Sequence, residues 1–110
     1  MSDETVIIRK TPPTFAYLFM VNGVRRGDHF MLKEEGTTIG RSDEAELTLD
    51  DSTVSDEHAR IRIESGTWYV YDLASSNAVV VNGEAAHRHA LADKDRLQVG
   101  SSQLVFRLVK

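Results

Sequence analysis

The sequence predicts an all-β protein, an antiparallel β-sandwich, and two observations carry that expectation. Apolar residues recur at every second position in short runs, the period of a half-buried strand. Between the runs stand turn-forming pairs, Asn22-Gly23, Glu35-Gly36, Ser65-Gly66, Asn82-Gly83 and Gly100-Ser101, at spacings suited to a meander of short strands. A strand with one apolar face must cover that face, and two sheets stacked face to face cover each other.

Residues 1–14 are polar and close with Pro12-Pro13, a pair that fits neither a helix interior nor a central strand. They are expected to form a flexible tail ahead of a single domain spanning 15–110. The domain opens with the apolar run Ala16 to Val21, far too short to span a bilayer, and no secretion-signal pattern precedes it. Phe30 and Leu32, then Leu47 and Leu49, are the next alternating pairs. Ala59, Ile61 and Ile63 give a clear run, with Arg60, Arg62 and Glu64 on the opposite face. The stretch Glu84 to Ala92 is alanine-rich and favours helix on propensity alone, but it lacks a helical apolar stripe and reads as strand and loop. Leu97 and Val99, then Leu104, Phe106 and Leu108, complete the pattern. There is no internal repeat and no low-complexity tract.

A chain of 110 residues with 41% hydrophobic content buries one core and hardly two. Its formal charge of −4 argues against nucleic acid or an anionic membrane as partner, since both demand a cationic footprint. Any anion site must therefore be local. No cysteine is present, which excludes a disulfide framework, a thiolate metal site and a cysteine nucleophile, and fits a cytoplasmic setting.

Function is expected in the loops at one end of the sandwich, where a rigid scaffold presents polar groups. Four segments stand out: Thr38-Ile39-Gly40-Arg41; Val54-Ser55-Asp56-Glu57-His58-Ala59; Asp72-Leu73-Ala74-Ser75-Ser76-Asn77; and Val81-Asn82-Gly83. Singly they read as a turn glycine beside a solvated arginine, a loop hydroxyl, a structural histidine and turn asparagines. Taken in this order they resemble the forkhead-associated (FHA) domain, whose signature runs Gly-Arg, Ser-x-x-His, Asn-Gly and a second Asn-Gly. The likeness extends from about Phe15 to the C-terminus.

The resemblance implies a sandwich of about eleven strands, of the SMAD/FHA kind, that binds peptides containing phosphothreonine. It implies Arg41 on the phosphate, Ser55 hydrogen-bonded to it, Asp56 beside it, Ser76 near the threonine methyl and Asn77 on the peptide backbone. Gly40, His58, Asn82 and Gly83 fall at positions that brace the loops. A phosphothreonine brings a charge near −1.5 to −2 and three strong acceptors, which a planar guanidinium and a hydroxyl meet without any bond being made or broken. No catalytic residue, cofactor or metal is expected, and the partner the resemblance implies is a phosphothreonine-containing protein or peptide, in a Ser/Thr kinase pathway.

Two positions depart from the family pattern. Asp56 stands where a basic or amide residue often follows the serine, inside the acidic segment Asp43, Glu44, Glu46, Asp50, Asp51, Asp56 and Glu57. Ala78 stands where glycine commonly follows the asparagine, so a positive φ there would be strained. Asp56 is expected to repel the phosphate, or to pair with Arg41 until a ligand arrives. These departures also favour the competing reading, a phosphorylation-independent interaction module with a degenerate phosphate site.

Ser55, Asp56 and His58 could be assembled into a hydrolytic set, but no glycine elbow or oxyanion-hole signal accompanies them. The acidic segment lacks the ligand spacing of a calcium loop. His87 and His89 would share one face of a strand, with no further metal ligands near them in sequence, and Arg25-Arg26 reads as solvated. In the tail, Asp3-Glu4-Thr5 precedes Val6-Ile7-Ile8, so phosphorylated Thr5 is itself a candidate ligand for the socket of its own or a neighbouring chain.

Overall fold

The computed structural model describes residues 15–73 and 77–109. The described residues form eleven strands and no helix: β1 (Phe15–Met20), β2 (His29–Met31), β3 (Thr37–Gly40), β4 (Leu47–Thr48), β5 (Ala59–Glu64), β6 (Thr67–Asp72), β7 (Val79–Val81), β8 (Glu84–Ala86), β9 (Arg88–Ala90), β10 (Arg96–Val99) and β11 (Ser102–Val109). They make a six-stranded sheet in the order β2-β1-β11-β10-β7-β8 and a five-stranded sheet in the order β4-β3-β5-β6-β9.

The expected sandwich is present, but the chain is not a simple meander. It crosses between sheets after β2, β6, β8 and β9. Glu35-Gly36 belongs to such a crossing rather than to a hairpin. Gly36 has a φ of 133°, and a Cβ there would meet the Arg60 Nη2 at 2.2 Å. By contrast Ser65-Gly66 and Asn82-Gly83 close true hairpins with both residues at positive φ, the left-handed geometry that two-residue hairpin turns require. One pairing departs from antiparallel: β3 and β4 run parallel through Ile39↔Leu47 and Gly40↔Thr48.

The alternating residues point where their period says. Leu18, Ile39, Leu47, Ala59, Ile61, Leu97, Val99, Leu104 and Phe106 are buried between the sheets, while Phe30, Ile63 and Leu108 pack partly buried against them. Trp68 of one sheet meets Phe106 of the other with ring centroids 6.4 Å apart. Full burial of one such side chain is worth about 1.5–3 kcal/mol. The alanine-rich stretch becomes β8 and β9, which are edge strands of different sheets. On the outer face of the five-stranded sheet, Arg88 lies 4.0 Å above the Tyr69 ring and forms an ion pair with Glu64 at 3.7 Å. No helix of the described residues is long and apolar enough to cross a membrane.

Candidate functional site

Strand direction gathers the loops after β1, β3, β4 and β10, and the segment entering β7, at one end of the sandwich. Met20 pairs with Leu104, Ile39 with Ala59 and Val99 with Ser102, so these strand ends share one level. The loop after β1 is pinned there by Asn22, whose amide donates to the Ser101 carbonyl at 3.1 Å and whose oxygen accepts the Gln103 N–H at 2.9 Å. Arg25 is anchored rather than freely solvated, donating to Asp28 at 3.2 Å and to the Thr48 carbonyl at 3.3 Å.

At the centre a short backbone ladder joins the end of β3 to the segment before β5. The His58 N–H donates to the Ile39 carbonyl at 2.9 Å, the Arg41 N–H to the Ser55 carbonyl at 3.0 Å and the Ser42 N–H to the Asp56 carbonyl at 3.2 Å. Arg41 and Ser55 are thus fixed side by side by main-chain bonds. Gly40 makes the approach possible, since a Cβ there would fall 1.9 Å from the Asp56 carbonyl oxygen. His58 is fully buried, and its Nδ1 accepts the Ser55 N–H at 3.0 Å, which places the ring hydrogen on Nε2. Its carbonyl accepts the Leu73 N–H at 3.1 Å, linking the serine loop to the end of β6.

The Arg41 side chain is 49% exposed, and its Nη2 lies 3.9 Å from Oδ1 of Asp56, itself 77% exposed. A pair so long and so wet contributes between nothing and about 1 kcal/mol, so the guanidinium is available to a stronger anion. Two carboxylates of the acidic segment are engaged locally. The Thr38 N–H donates to Glu46 at 2.7 Å and holds that carboxyl below its ordinary value. The Thr53 hydroxyl, bonded to Asp51 at 2.6 Å, does the same for Asp51.

Asn77 is exposed at the same end, with its amide donating to the Thr53 carbonyl at 3.0 Å. Ala78 is absent from the positive-φ residues, which among described non-glycine positions are Ser65, Asn82 and Lys94, so the loop leaves Asn77 without the strain its sequence suggested. Thr53, Asn77, Ala78, Gly100 and Ser101 line a shallow open hollow that also takes in Val80 and Gln98. Asn82 and Gly83 sit at the far end of β7, where the Asn82 oxygen accepts the Arg96 N–H at 2.9 Å and its amide donates to Asp95 at 3.0 Å. They brace that end of the sheet, away from Arg41. Ser76 and Thr5 lie outside the described residues.

Sequence reasoning passed over Thr53 and read Gly100-Ser101 only as a turn pair. Thr53 and Ser101 are 48 positions apart and carry no motif, so only the fold brings them together. His87 and His89 do not share a strand face: His87 occupies the bend before β9, and His89 pairs with Val70 on the inward side. No group of three potential metal ligands occurs among the described residues.

The family model for the FHA domain matches residues 37–100. The oxoglutarate dehydrogenase inhibitor of Corynebacterium diphtheriae is 39% identical over 97 residues, covering 87% of this chain and 68% of that protein. The glycogen accumulation regulator GarA of Mycolicibacterium smegmatis is 38% identical over 95 residues, covering 86% of this chain and 60% of the regulator. The chain thus spans about three fifths to two thirds of these relatives. An FHA domain solved in a study of phosphothreonine-dependent FHA interactions superimposes with a TM-score of 0.81 at 30% identity, covering 87% of this chain and 98% of that one.

Proposed function

The chain belongs to the forkhead-associated domain family, and we propose that its loop end is a phosphothreonine-peptide socket in which Arg41 and Ser55 grip the phosphate. One observation carries this reading: the ladder over Gly40 holds a solvent-facing guanidinium beside a serine at the end of a rigid sandwich. A charge-assisted fork from Arg41 and a hydroxyl from Ser55 satisfy phosphate oxygens, while the Asn77 amide, already aimed at a main-chain carbonyl, is suited to hold peptide backbone. Ser76 stands in the same segment and would contact the threonine methyl and phosphate. Asp56 lines the socket as the group that tempers its charge.

The socket binds and does not react. His58 is fully buried with its Nδ1 committed to the Ser55 N–H, so it cannot act as a base toward a ligand at the surface. The partner is a protein phosphorylated on threonine by a Ser/Thr kinase, met in the cytoplasm. The relatives' names, an inhibitor and a regulator, support a role exercised by binding another protein.

A screen against an oriented phosphothreonine peptide library, followed by titration calorimetry of the best peptide with and without its phosphate, tests this. The expected result is binding that requires the phosphate and is lost in Arg41→Ala. Equal binding of both peptides, indifferent to Arg41→Ala, would replace the socket with a phosphorylation-independent surface.

A further inference from the structure

The socket is assembled from two halves carried by different sheets. Arg41 follows β3 and Ser55 lies in the β4–β5 loop, both within the five-stranded sheet, whereas Asn77 lies in the crossing from β6 and leads directly into β7 of the six-stranded one. A ligand that touches both halves gains most when their separation is set beforehand, because ordering them during binding costs free energy.

Thr53 joins the two halves. Its hydroxyl donates to Asp51 Oδ1 at 2.6 Å and accepts the Ser101 N–H at 2.7 Å, with the Ser101 hydroxyl 3.0 Å away. Its carbonyl accepts the Asn77 amide at 3.0 Å. The Ser102 hydroxyl closes the ring on the other oxygen of Asp51 at 2.9 Å. Gly100 packs so closely that a Cβ there would come within 2.5 Å of the Thr53 hydroxyl and 2.7 Å of its carbonyl oxygen. Thr53 is followed by Val54, buried to 1% exposure, and then by Ser55, so its position is passed along a short, pinned stretch of backbone.

We propose that Thr53 is a positioning residue of the phosphopeptide socket, locking the arginine-serine half to the Asn77 half through the β10–β11 turn. This rests on the socket reading above. Thr53 is exposed and need not touch the ligand; it acts by fixing where Asn77 stands relative to Ser55. The hydroxyl is the essential group, since it alone reaches both Asp51 and Ser101, and a serine supplies the same hydroxyl.

The test is titration of the best library phosphopeptide against the full chain as wild type, Thr53→Val, Thr53→Ser, Asn77→Ala and the double variant Thr53→Val/Asn77→Ala, with melting curves for each. Thr53→Val conserves shape and removes the hydroxyl, and is expected to weaken binding about five- to tenfold, the worth of one or two net hydrogen bonds. Thr53→Ser is expected to bind within about twofold of wild type by the same measure. In the Asn77→Ala background Thr53→Val should lose most of its effect, because the hydroxyl acts on the socket by fixing the Thr53 carbonyl that holds the Asn77 amide. A Thr53→Val affinity equal to wild type overturns the proposal, and so does an undiminished effect in the Asn77→Ala background, which would mark a general structural role. Failure of wild type itself to prefer the phosphorylated peptide would instead sink the socket reading.

Discussion

Replacing Asp56 by asparagine removes one negative charge from the rim of the socket while keeping the side chain's size. A phosphate oxygen bonded to Arg41 would lie about 2.8 Å from Nη2. The Asp56 carboxylate lies 3.9 Å from the same nitrogen, so carboxylate and phosphate oxygen face each other across at most about 7 Å. Charges of −1 and −2 at that separation repel by roughly 5 kcal/mol at an effective dielectric of 20, but by only about 1 kcal/mol in bulk water. The 77% exposure of the Asp56 side chain decides between them in favour of the watery limit. Asp56→Asn should therefore tighten phosphopeptide binding about fivefold, with a little more gained as Arg41 is freed from its long pair. Calorimetric titration at low salt measures the gain. Repeating it near 1 M salt, where the screening length shrinks to about 3 Å, should erase most of it. No gain, or a loss, refutes the repulsion argument, and a gain that survives 1 M salt refutes its Coulombic origin.

Gly40→Ala should destabilise the fold by about 2–3 kcal/mol in urea titrations, because the new Cβ meets backbone rather than a yielding side chain, and should weaken phosphopeptide binding as the ladder opens. Acid should loosen the same end. Hydrogen bonds from Thr38 and Thr53 hold Glu46 and Asp51 below their ordinary values, so the stability they add is complete above about pH 5 and is lost as pH falls through the lowered values. Melting temperature is expected to fall as pH drops below about 5, and to fall less in Asp51→Asn; parallel curves would show that Asp51 is not involved.

The fold was legible wherever a strand buries one face against the other sheet. Ala59, Ile61 and Ile63 alternate with Arg60, Arg62 and Glu64 because the sheet between core and water imposes that period. The stretch Glu84 to Ala92 gave no such signal, for a physical reason. It folds as two three-residue edge strands in separate sheets, exposed or half-exposed along most of their length. Glu35-Gly36 shows the other limit: a turn pair announces a change of direction but not whether the chain returns beside its own strand or crosses to the opposite sheet. Arg41, Ser55 and His58 were legible because they stand in short motifs whose order resembles the FHA signature, although of their bonds only the Ser55–His58 one is local and the ladder joins positions 14 to 19 residues apart. The bonds that Thr53 makes to Ser101 and Asn77 join positions 48 and 24 residues apart, and nothing in the intervening sequence encodes them.

The register of β1 against β11 sets Phe15 directly opposite Val109. Opposed residues of antiparallel neighbours stand about 5 Å apart, so the polypeptide enters and leaves the sandwich through a single doorway. That doorway is at the pole opposite the loops carrying Arg41, Ser55 and Asn77. Such geometry makes the domain a cassette. It can be spliced between two adjoining points of a host surface, or tethered by either end to a bead or sensor chip, with its recognition pole still turned outward.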